Sequence, residues 1–103
     1  MQARLAGIPK AASNGAVLAE AQTELVELVE GNVYFPPKGV DKWFLCEAAT
    51  RTVCPLKGTA SYYDVAVHGD VNKNAAWYYS VTKPAASIIA GHVAFWKGVL
   101  VEE

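Results

Sequence analysis

The most informative part of this chain is Thr50–Tyr63, which reads TRTVCPLKGTASYY. It places a cysteine, a lysine, three threonine hydroxyls and two tyrosines around one proline and one glycine. Pro55 and Gly58 bracket a tight loop, since both residue types favour turns. A second aromatic run, Ala75–Tyr79, follows soon after. Reactive and apolar groups mixed this closely predict a pocket rather than a plain core.

Beyond the loop, the residues alternate as in a strand, and we predict that this strand runs from Ala60 to His68. One face would carry Tyr62, Asp64, Ala66 and His68, and the other Ser61, Tyr63, Val65 and Val67. Gly69-Asp70 would then turn the chain into an antiparallel meander, formed by Val71–Lys73 and Ala75–Tyr79.

Asn14-Gly15 is the strongest turn signal in the N-terminal part of the chain. Asparagine and glycine accept the positive φ angles that both central residues of a type I′ turn require. The flanking runs, Ile8–Ser13 and Ala16–Ala21, are therefore predicted to pair as a hairpin. Three further elements are expected: a strand at Leu25–Glu30 ending at Gly31-Asn32, a strand at Val33–Phe35 ending at Pro36-Pro37, and one helical turn at Val40–Leu45 with Trp43 and Phe44 packed on the core.

A short helix is predicted near residues 84–90. Pro84 suits the first helical position, and Gly91 suits the left-handed position after the helix. The last predicted element is a hairpin of His92–Trp96 and Val99–Val101 around Lys97-Gly98. These elements indicate one mainly β domain (small α+β) over residues 1–103, with a folded antiparallel sheet and one short helix.

Composition excludes several classes of protein. The 103 residues are 52% hydrophobic and 18% charged, which favours an ordinary packed core. A net charge of −1 gives no electrostatic footprint for nucleic acid. No apolar run approaches the roughly 20 residues that span a bilayer, so no membrane contact is expected. The first residues, Met1–Leu5, lack the apolar stretch of a signal peptide, and we expect a cytoplasmic protein.

No metal or other cofactor is expected. The thiols and imidazoles are Cys46, Cys54, His68 and His92, and none are closely spaced. A structural zinc site usually has four such ligands with cysteines two to four residues apart. A disulfide between the two cysteines is not expected in the cytoplasm. His68 lies at a turn and is expected at the surface, and His92 has no obvious carboxylate beside it in sequence, so we do not favour a catalytic role for either.

Several segments together resemble one family, namely Gly31–Pro37, Thr50–Tyr63, Ala75–Tyr79 and Gly91–Trp96. The combination looks like domain-of-unknown-function family 427, and the similarity runs from about Lys10 to Val101. It implies a small β-rich domain, similar in topology to folded-sheet β-tent proteins. The family is sometimes labelled a nucleotidyltransferase domain.

The carboxylates argue against that label. Nucleotidyl transfer needs carboxylates that hold Mg²⁺ against the phosphates. Asp41, Asp64 and Asp70 are scattered along the chain, with no pair on one strand. The sequence therefore predicts no two-metal site.

Cys54 and Lys57 are the candidates for catalysis. A thiol is a nucleophile only as thiolate, and a cation three residues away would favour that form. The alternative is that Cys54 is a small buried hydrophobe, as free cysteines commonly are. Lys57 could hold a phosphate or carboxylate, or it could be a solvated lysine at the tip of the loop.

Six further residues are predicted to bind a ligand: Arg51, Thr52, Thr59, Tyr62, Trp77 and Tyr79. The guanidinium fork suits anions, and amphipathic rings can stack on a ligand. The threonine hydroxyls have another reading, in which they satisfy the backbone of their own loop.

Two hypotheses of function remain. The first is a small-molecule binding domain, for a small anionic metabolite, with chemistry at Cys54 and Lys57 as an extension. The second is an interaction module that forms a homodimer through exposed aromatic side chains such as Trp43, Phe95 and Trp96.

Overall fold

The computed structural model describes residues 8–103, and it is built from short antiparallel strands. The first residues, on which the expectation of no signal peptide depends, lie outside this range. The strands of the described part are β1 (Lys10–Ser13), β2 (Ala16–Glu20), β3 (Glu27–Val29), β4 (Asn32–Tyr34), β5 (Leu45–Cys54), β6 (Gly58–Val67), β7 (Asp70–Tyr78), β8 (Val93–Phe95) and β9 (Leu100–Glu102). The mainly β prediction is confirmed.

The strands form three sheets. The largest has the order β5-β6-β7-β8, a second has the order β2-β1-β9, and β3 and β4 form a hairpin of their own. Every pair of neighbouring strands in these sheets is antiparallel. Phe35, just after β4, pairs with Val93 in β8 and so ties the hairpin to the edge of the large sheet.

Each face of the large sheet has its own core. One core joins the large sheet to the three-stranded sheet, and its fully buried members include Leu18, Phe35 and Val65. The other core lies on the opposite face, where Trp77 and Ile89 pack with β4 and the helical segment that follows β7. The large sheet is therefore the middle layer of the described part of the protein.

The turns follow the predicted chemistry, and two of them are shifted by one residue from the predicted positions. Asn14 and Gly15 have φ values of 49° and 80°, as a type I′ turn requires. At the next hairpin the two central residues are Glu30 and Gly31, with φ values of 53° and 81°, rather than Gly31-Asn32. His68-Gly69 likewise replaces Gly69-Asp70. Glycine takes the second central position, so the residue before it must accept positive φ.

The predicted helix near residues 84–90 is present as a 3₁₀ segment, Pro84–Ile89. Its regular geometry breaks at Ala86, where φ is −116°. Gly91 has a φ of 75°, the left-handed value expected after a helix. Further single 3₁₀ turns lie at Thr23–Leu25, Pro37–Gly39 and Lys42–Phe44.

Three local predictions are wrong. The chain does turn at Lys97-Gly98, but β9 pairs with β1 and not with β8, so the last hairpin does not form. Trp43 is 87% exposed and does not pack on the core, although Phe44 does in part. Leu25 belongs to a 3₁₀ turn and not to the strand that follows it.

Two bulges interrupt the large sheet. In β5 the register shifts between Glu47 and Arg51, opposite a single residue of β6, Tyr62. In β7 the register shifts opposite Asp64, whose carboxylate accepts a hydrogen bond from the backbone of Asn74 at 2.9 Å. Such bulges bend the strands and increase the twist of the sheet.

No helix within residues 8–103 is long and apolar enough to cross a membrane.

Candidate functional site

An aromatic cavity of about 320 Å³ opens beside the second core. This volume is at the lower end of the roughly 300–1,000 Å³ that is typical of small-molecule sites. We call it the aromatic cavity, and it is lined by Glu30, Asn32, Tyr34, Cys54, Lys57, Tyr62, Trp77, Tyr79 and Trp96.

Strand register explains why distant residues meet in this cavity. Tyr62 in β6 lies directly opposite Trp77 in β7, and Trp77 lies opposite Ala94 in β8. Residues two apart on a strand share a face, so Tyr79 and Trp96 join the same wall. The β3–β4 hairpin supplies the remaining wall. All five predicted residues with side chains on this face therefore come together: Cys54, Lys57, Tyr62, Trp77 and Tyr79.

The indole rings are fixed by hydrogen bonds and by edge contacts. Trp77 Nε1 donates to the hydroxyl of Tyr34 at 3.2 Å, and the two rings meet edge to face at a centroid distance of 6.1 Å. Trp96 meets Trp77 edge to face at 5.4 Å, and its Nε1 donates to the Asn74 carbonyl at 2.6 Å. Because both indole N–H groups are already bonded, the rings present apolar surface to the cavity.

Tyr34 and Tyr79 belong to the buried part of this wall. Burial is the main reason why the pKa of each phenol is raised above its ordinary value. Both hydroxyls therefore keep their protons at neutral pH and can donate hydrogen bonds.

Lys57 is the one buried cation of the described residues, with only 7% of its surface exposed. Its ammonium forms an ion pair with the carboxylate of Glu30, whose side chain is 61% exposed on the β3–β4 turn. The hydrogen bond to Glu30 raises the pKa of Lys57, although burial acts in the opposite direction. Lys57 is therefore charged at neutral pH, and the reading of a solvated lysine at the loop tip is wrong.

The Lys57 ammonium has donors to spare. An ammonium carries three N–H donors, and within residues 8–103 it finds one acceptor, Glu30 Oε1. The backbone of the same residue is fully engaged, since its N–H donates to the Cys54 carbonyl and its carbonyl accepts from the Lys83 N–H at 3.0 Å. These two bonds fix the backbone from which the Lys57 side chain extends.

Cys54 lies in the wall of the cavity and is partly exposed, so it is not a fully buried hydrophobe. The same cavity lining includes Lys57. Cys46, on the same strand, is exposed and is not part of the cavity lining. Neither thiol forms a disulfide with the other.

Thr52 supports the cavity without lining it. Its hydroxyl shares a 2.9 Å hydrogen bond with the phenol of Tyr62. Thr50 Oγ1 accepts from the amide of Asn74 at 3.0 Å, across the sheet. These two hydroxyls bond other side chains and not the backbone of their own loop, contrary to the alternative reading.

Arg51 and Thr59 lie in a different place, a polar groove of about 480 Å³. We call it the polar groove, and it is lined by Arg51, Gly58, Thr59, Ser61, Ser80, Val81, Thr82 and Lys83. Arg51 pairs with Ser61. Each is next in sequence to a residue of the cavity side, Thr52 or Tyr62, and adjacent side chains of a strand point to opposite faces, so Arg51 belongs to the other face of the sheet. Ligand binding at these two residues stays a prediction, but they do not join the aromatic cavity.

Sequence reasoning missed four residues of the cavity: Glu30, Asn32, Tyr34 and Trp96. Glu30 is 27 positions from its partner Lys57, and no local pattern links them. The sequence offers one signal for Asn32 and Tyr34: they belong to a short aromatic strand that directly follows a predicted turn, so they lie close to the end of a hairpin. Neither histidine enters the cavity lining, and His68 sits in an exposed turn.

Within the described residues, no group of three or more His, Cys, Asp or Glu side chains is placed to hold a metal ion.

Comparison with known proteins identifies the family of this chain. A search among curated proteins finds nothing similar. The sequence profile of one family, described as "Domain of unknown function (DUF427)", matches residues 9–103, which is nearly the whole chain. The short name of that profile refers to NTP transfer, and the description assigns no activity. The chain therefore belongs to the DUF427 family.

Proposed function

We propose that this protein binds a small planar molecule in the aromatic cavity, and that the molecule presents an anionic oxygen to Lys57. The observation that carries the proposal is Lys57, a residue that is only 7% exposed and whose ammonium has one acceptor for three donors among the described residues. A buried charge is stable only when it is paired and hydrogen-bonded. A ligand oxygen would fill the free donors.

The partner of Lys57 is well suited to give way. Glu30 reaches the ammonium from an exposed two-residue turn, and a carboxylate there loses little when it returns to water. An anionic ligand would replace the Glu30 carboxylate and restore charge balance around Lys57. A neutral acceptor would instead share the ammonium with Glu30.

The aromatic wall supports a planar ligand. Trp77 and Trp96 have no free N–H to offer, so they favour ring contacts over hydrogen bonds. Tyr62 has a phenol fixed by Thr52, and Asn32 adds an amide at the rim. This is the usual composition of a small-molecule site, with apolar walls and a few placed polar groups.

Three benzene derivatives of similar size test the charge of the ligand: benzoate, benzamide and benzylammonium. We expect binding to weaken in that order, measured by calorimetry and by NMR shifts of the Trp77 and Trp96 indole N–H groups. Lys57→Met should abolish benzoate binding, and Glu30→Gln should tighten it because the competing carboxylate is gone. Lys42→Met is the matched control, since Lys42 is exposed and lines neither site.

Two results would contradict the proposal. If benzylammonium bound best and Glu30→Gln removed its binding, the anchor would be Glu30 and the ligand a cation. If none of the three probes shifted the indole signals at millimolar concentration, the cavity would be part of the core only.

Covalent chemistry at Cys54 is a second candidate, because its thiol faces the cavity that holds Lys57. The exposed Cys46 is a control within the same chain. In an activated site, the partly buried Cys54 would react with iodoacetamide at pH 7 faster than Cys46, as compared in the Cys46→Ala and Cys54→Ala variants. Slower reaction at Cys54 would leave it as a wall residue. We also propose that the protein is located in the cytoplasm, where thiols stay reduced.

Assembly through aromatic side chains is the alternative function, and one observation favours it: Trp43 is 87% exposed. Phe95 cannot contribute as predicted, since it is 5% exposed and belongs to the first core. Sedimentation velocity of the wild type and of Trp43→Ser tests a dimer. Assembly predicts a concentration-dependent dimer that the substitution removes.

A further inference from the structure

We propose that the polar groove is a second binding site, and that it takes a phosphate group. Its lining holds two cations, Arg51 and Lys83, and no carboxylate. Within residues 8–103, neither cation lies within ion-pair distance of an acidic side chain. This groove is therefore a place of uncompensated positive charge in a protein whose net charge is −1.

Ser61 supplies an independent observation. It is 9% exposed, it lines the polar groove, and its hydroxyl has no hydrogen-bond partner among the described residues. Buried hydroxyl groups in folded proteins are nearly always bonded. A phosphate oxygen in the groove would supply a partner for the Ser61 hydroxyl.

Close backbone contact brings the hydroxyl groups of the groove together. Gly58 pairs with Thr82, and a Cβ at Gly58 would lie 3.1 Å from the Val81 carbonyl oxygen. The absence of a side chain at Gly58 lets the segment after β7 lie against β6. As a result, hydroxyls from both segments line the groove, namely those of Thr59, Ser61, Ser80 and Thr82.

The two cations are anchored but not saturated. Arg51 Nη1 donates to the carbonyls of Ala48 and Thr50, at 2.9 and 2.8 Å, which leaves donors on Nη2 and Nε. Lys83 Nζ donates to the Pro55 carbonyl at 2.7 Å, which leaves two of its three donors. Anchored side chains lose less entropy when a ligand binds.

This donor set matches a phosphate group better than a carboxylate. A phosphate carries up to two negative charges and several acceptor oxygens, and the groove offers two cations and a set of hydroxyls. An arginine fork together with a lysine is a common arrangement for phosphate. The inference does not depend on the aromatic cavity, which lies on the other face of β6.

The test is an NMR titration of the ¹⁵N-labelled chain, with ionic strength held constant by sodium chloride. Inorganic phosphate and phenyl phosphate are the probes, which separates a free phosphate from an esterified one. We expect saturable shifts of the Gly58, Thr59 and Ser61 amides with one or both probes. Lys83→Gln and Ser61→Ala should each raise Kd, by about tenfold or more for the lysine.

Lys83 is preferred to Arg51 for this test because Arg51 also closes the β5 bulge, and its loss would disturb the fold. Lys42→Gln is the matched control and should leave Kd unchanged. Shifts that do not saturate, or an unchanged Kd in Lys83→Gln, would overturn the proposal. An unchanged Kd in Ser61→Ala would show that the Ser61 hydroxyl takes no part in binding, and it would overturn the proposal as stated. Benzoate binding at the aromatic cavity is a separate readout.

Discussion

The aromatic cavity and the polar groove lie on opposite faces of one hairpin, β5–β6, and they handle positive charge in opposite ways. In the cavity a single ammonium, Lys57, is buried among rings and paired with a carboxylate. In the groove two cations are exposed among hydroxyls and have no carboxylate partner. The same fourteen-residue stretch of sequence supplies both regions.

This difference follows from the way that side chains alternate along a strand. Successive side chains of a strand point to opposite faces, so neighbours in sequence are separated by the thickness of the sheet. Arg51 and Thr52 are adjacent, yet one lines the groove and the other braces a ring of the cavity. A dense motif on a hairpin therefore encodes two surfaces.

Trp77→Ala, on the cavity face of the large sheet, should cause the largest loss of stability. Trp77 is 9% exposed and contacts both Tyr34 and Trp96. Its removal should lower the free energy of unfolding by about 3–5 kcal/mol, as measured by urea denaturation. Thr59→Ala, on the groove face, should change it by less than about 0.5 kcal/mol. Equal losses in the two variants would contradict the comparison.

Alkaline pH tests the groove side of β6, where Tyr63 is buried. Burial is the main cause that raises the pKa of Tyr63 to about 12, with Tyr78 and Glu47 adding to it. Between pH 10 and 12 the unfolded chain loses this proton and the folded chain keeps it. The free energy of unfolding should therefore fall by about 2 kcal/mol over that interval.

The phenol of Tyr63 is responsible for only part of any alkaline loss, so the measurement is a difference. Urea denaturation at stepped pH should show a shallower fall for Tyr63→Phe than for the wild type. Parallel curves for the two proteins would show that Tyr63 titrates normally in the folded state.

Gly58→Ala should perturb the groove more than the cavity. The φ of Gly58 is 121°, and a new Cβ would approach the Val81 carbonyl oxygen. We expect a loss of about 1–3 kcal/mol and weaker binding of phosphate, because the segment after β7 must move. Gly15→Ala is the control, since Gly15 also has a positive φ but nothing within 4 Å of a new Cβ. A smaller loss at Gly58 than at Gly15 would exclude close approach as the cause.

The smallest expected effect concerns the bond between Thr52 and Tyr62. A double-mutant cycle with Thr52→Val and Tyr62→Phe should give a coupling energy of about 0.5–1 kcal/mol, because the bond is exposed. The cycle is measured by denaturation and again by benzoate affinity. Additive effects in both measurements would show that Thr52 does not brace the cavity.

Local features of the fold were predictable from sequence, and pairings over long distances were not. Asn14-Gly15 specifies its own turn, and Pro84 and Gly91 mark the ends of a short helical segment. The strand Leu100–Glu102 instead pairs with β1, some 90 residues away, where no turn sequence could indicate it. It was wrongly assigned to a hairpin with β8 because strands that follow each other in sequence usually pair.

The candidate site shows the same limit. Alternation identifies the cavity face of β6 and β7, which is why Tyr62, Trp77 and Tyr79 were found. The ion pair of Lys57 with Glu30 joins two turns that are distant in sequence, and only the folded chain reveals it. Trp43 was expected in the core because its ring is large and apolar, but it lies in a 3₁₀ turn outside both cores.

The distribution of the three tryptophans makes this protein an optical reporter of its own cavity. Trp77 and Trp96 border the cavity, whereas Trp43 is 87% exposed and lies elsewhere. The emission of the wild type therefore mixes the signal of one indole outside the cavity with the signals of two indoles in its wall. In Trp43→Phe only the two cavity indoles remain, and their fluorescence would follow occupancy directly, without a label or a known ligand.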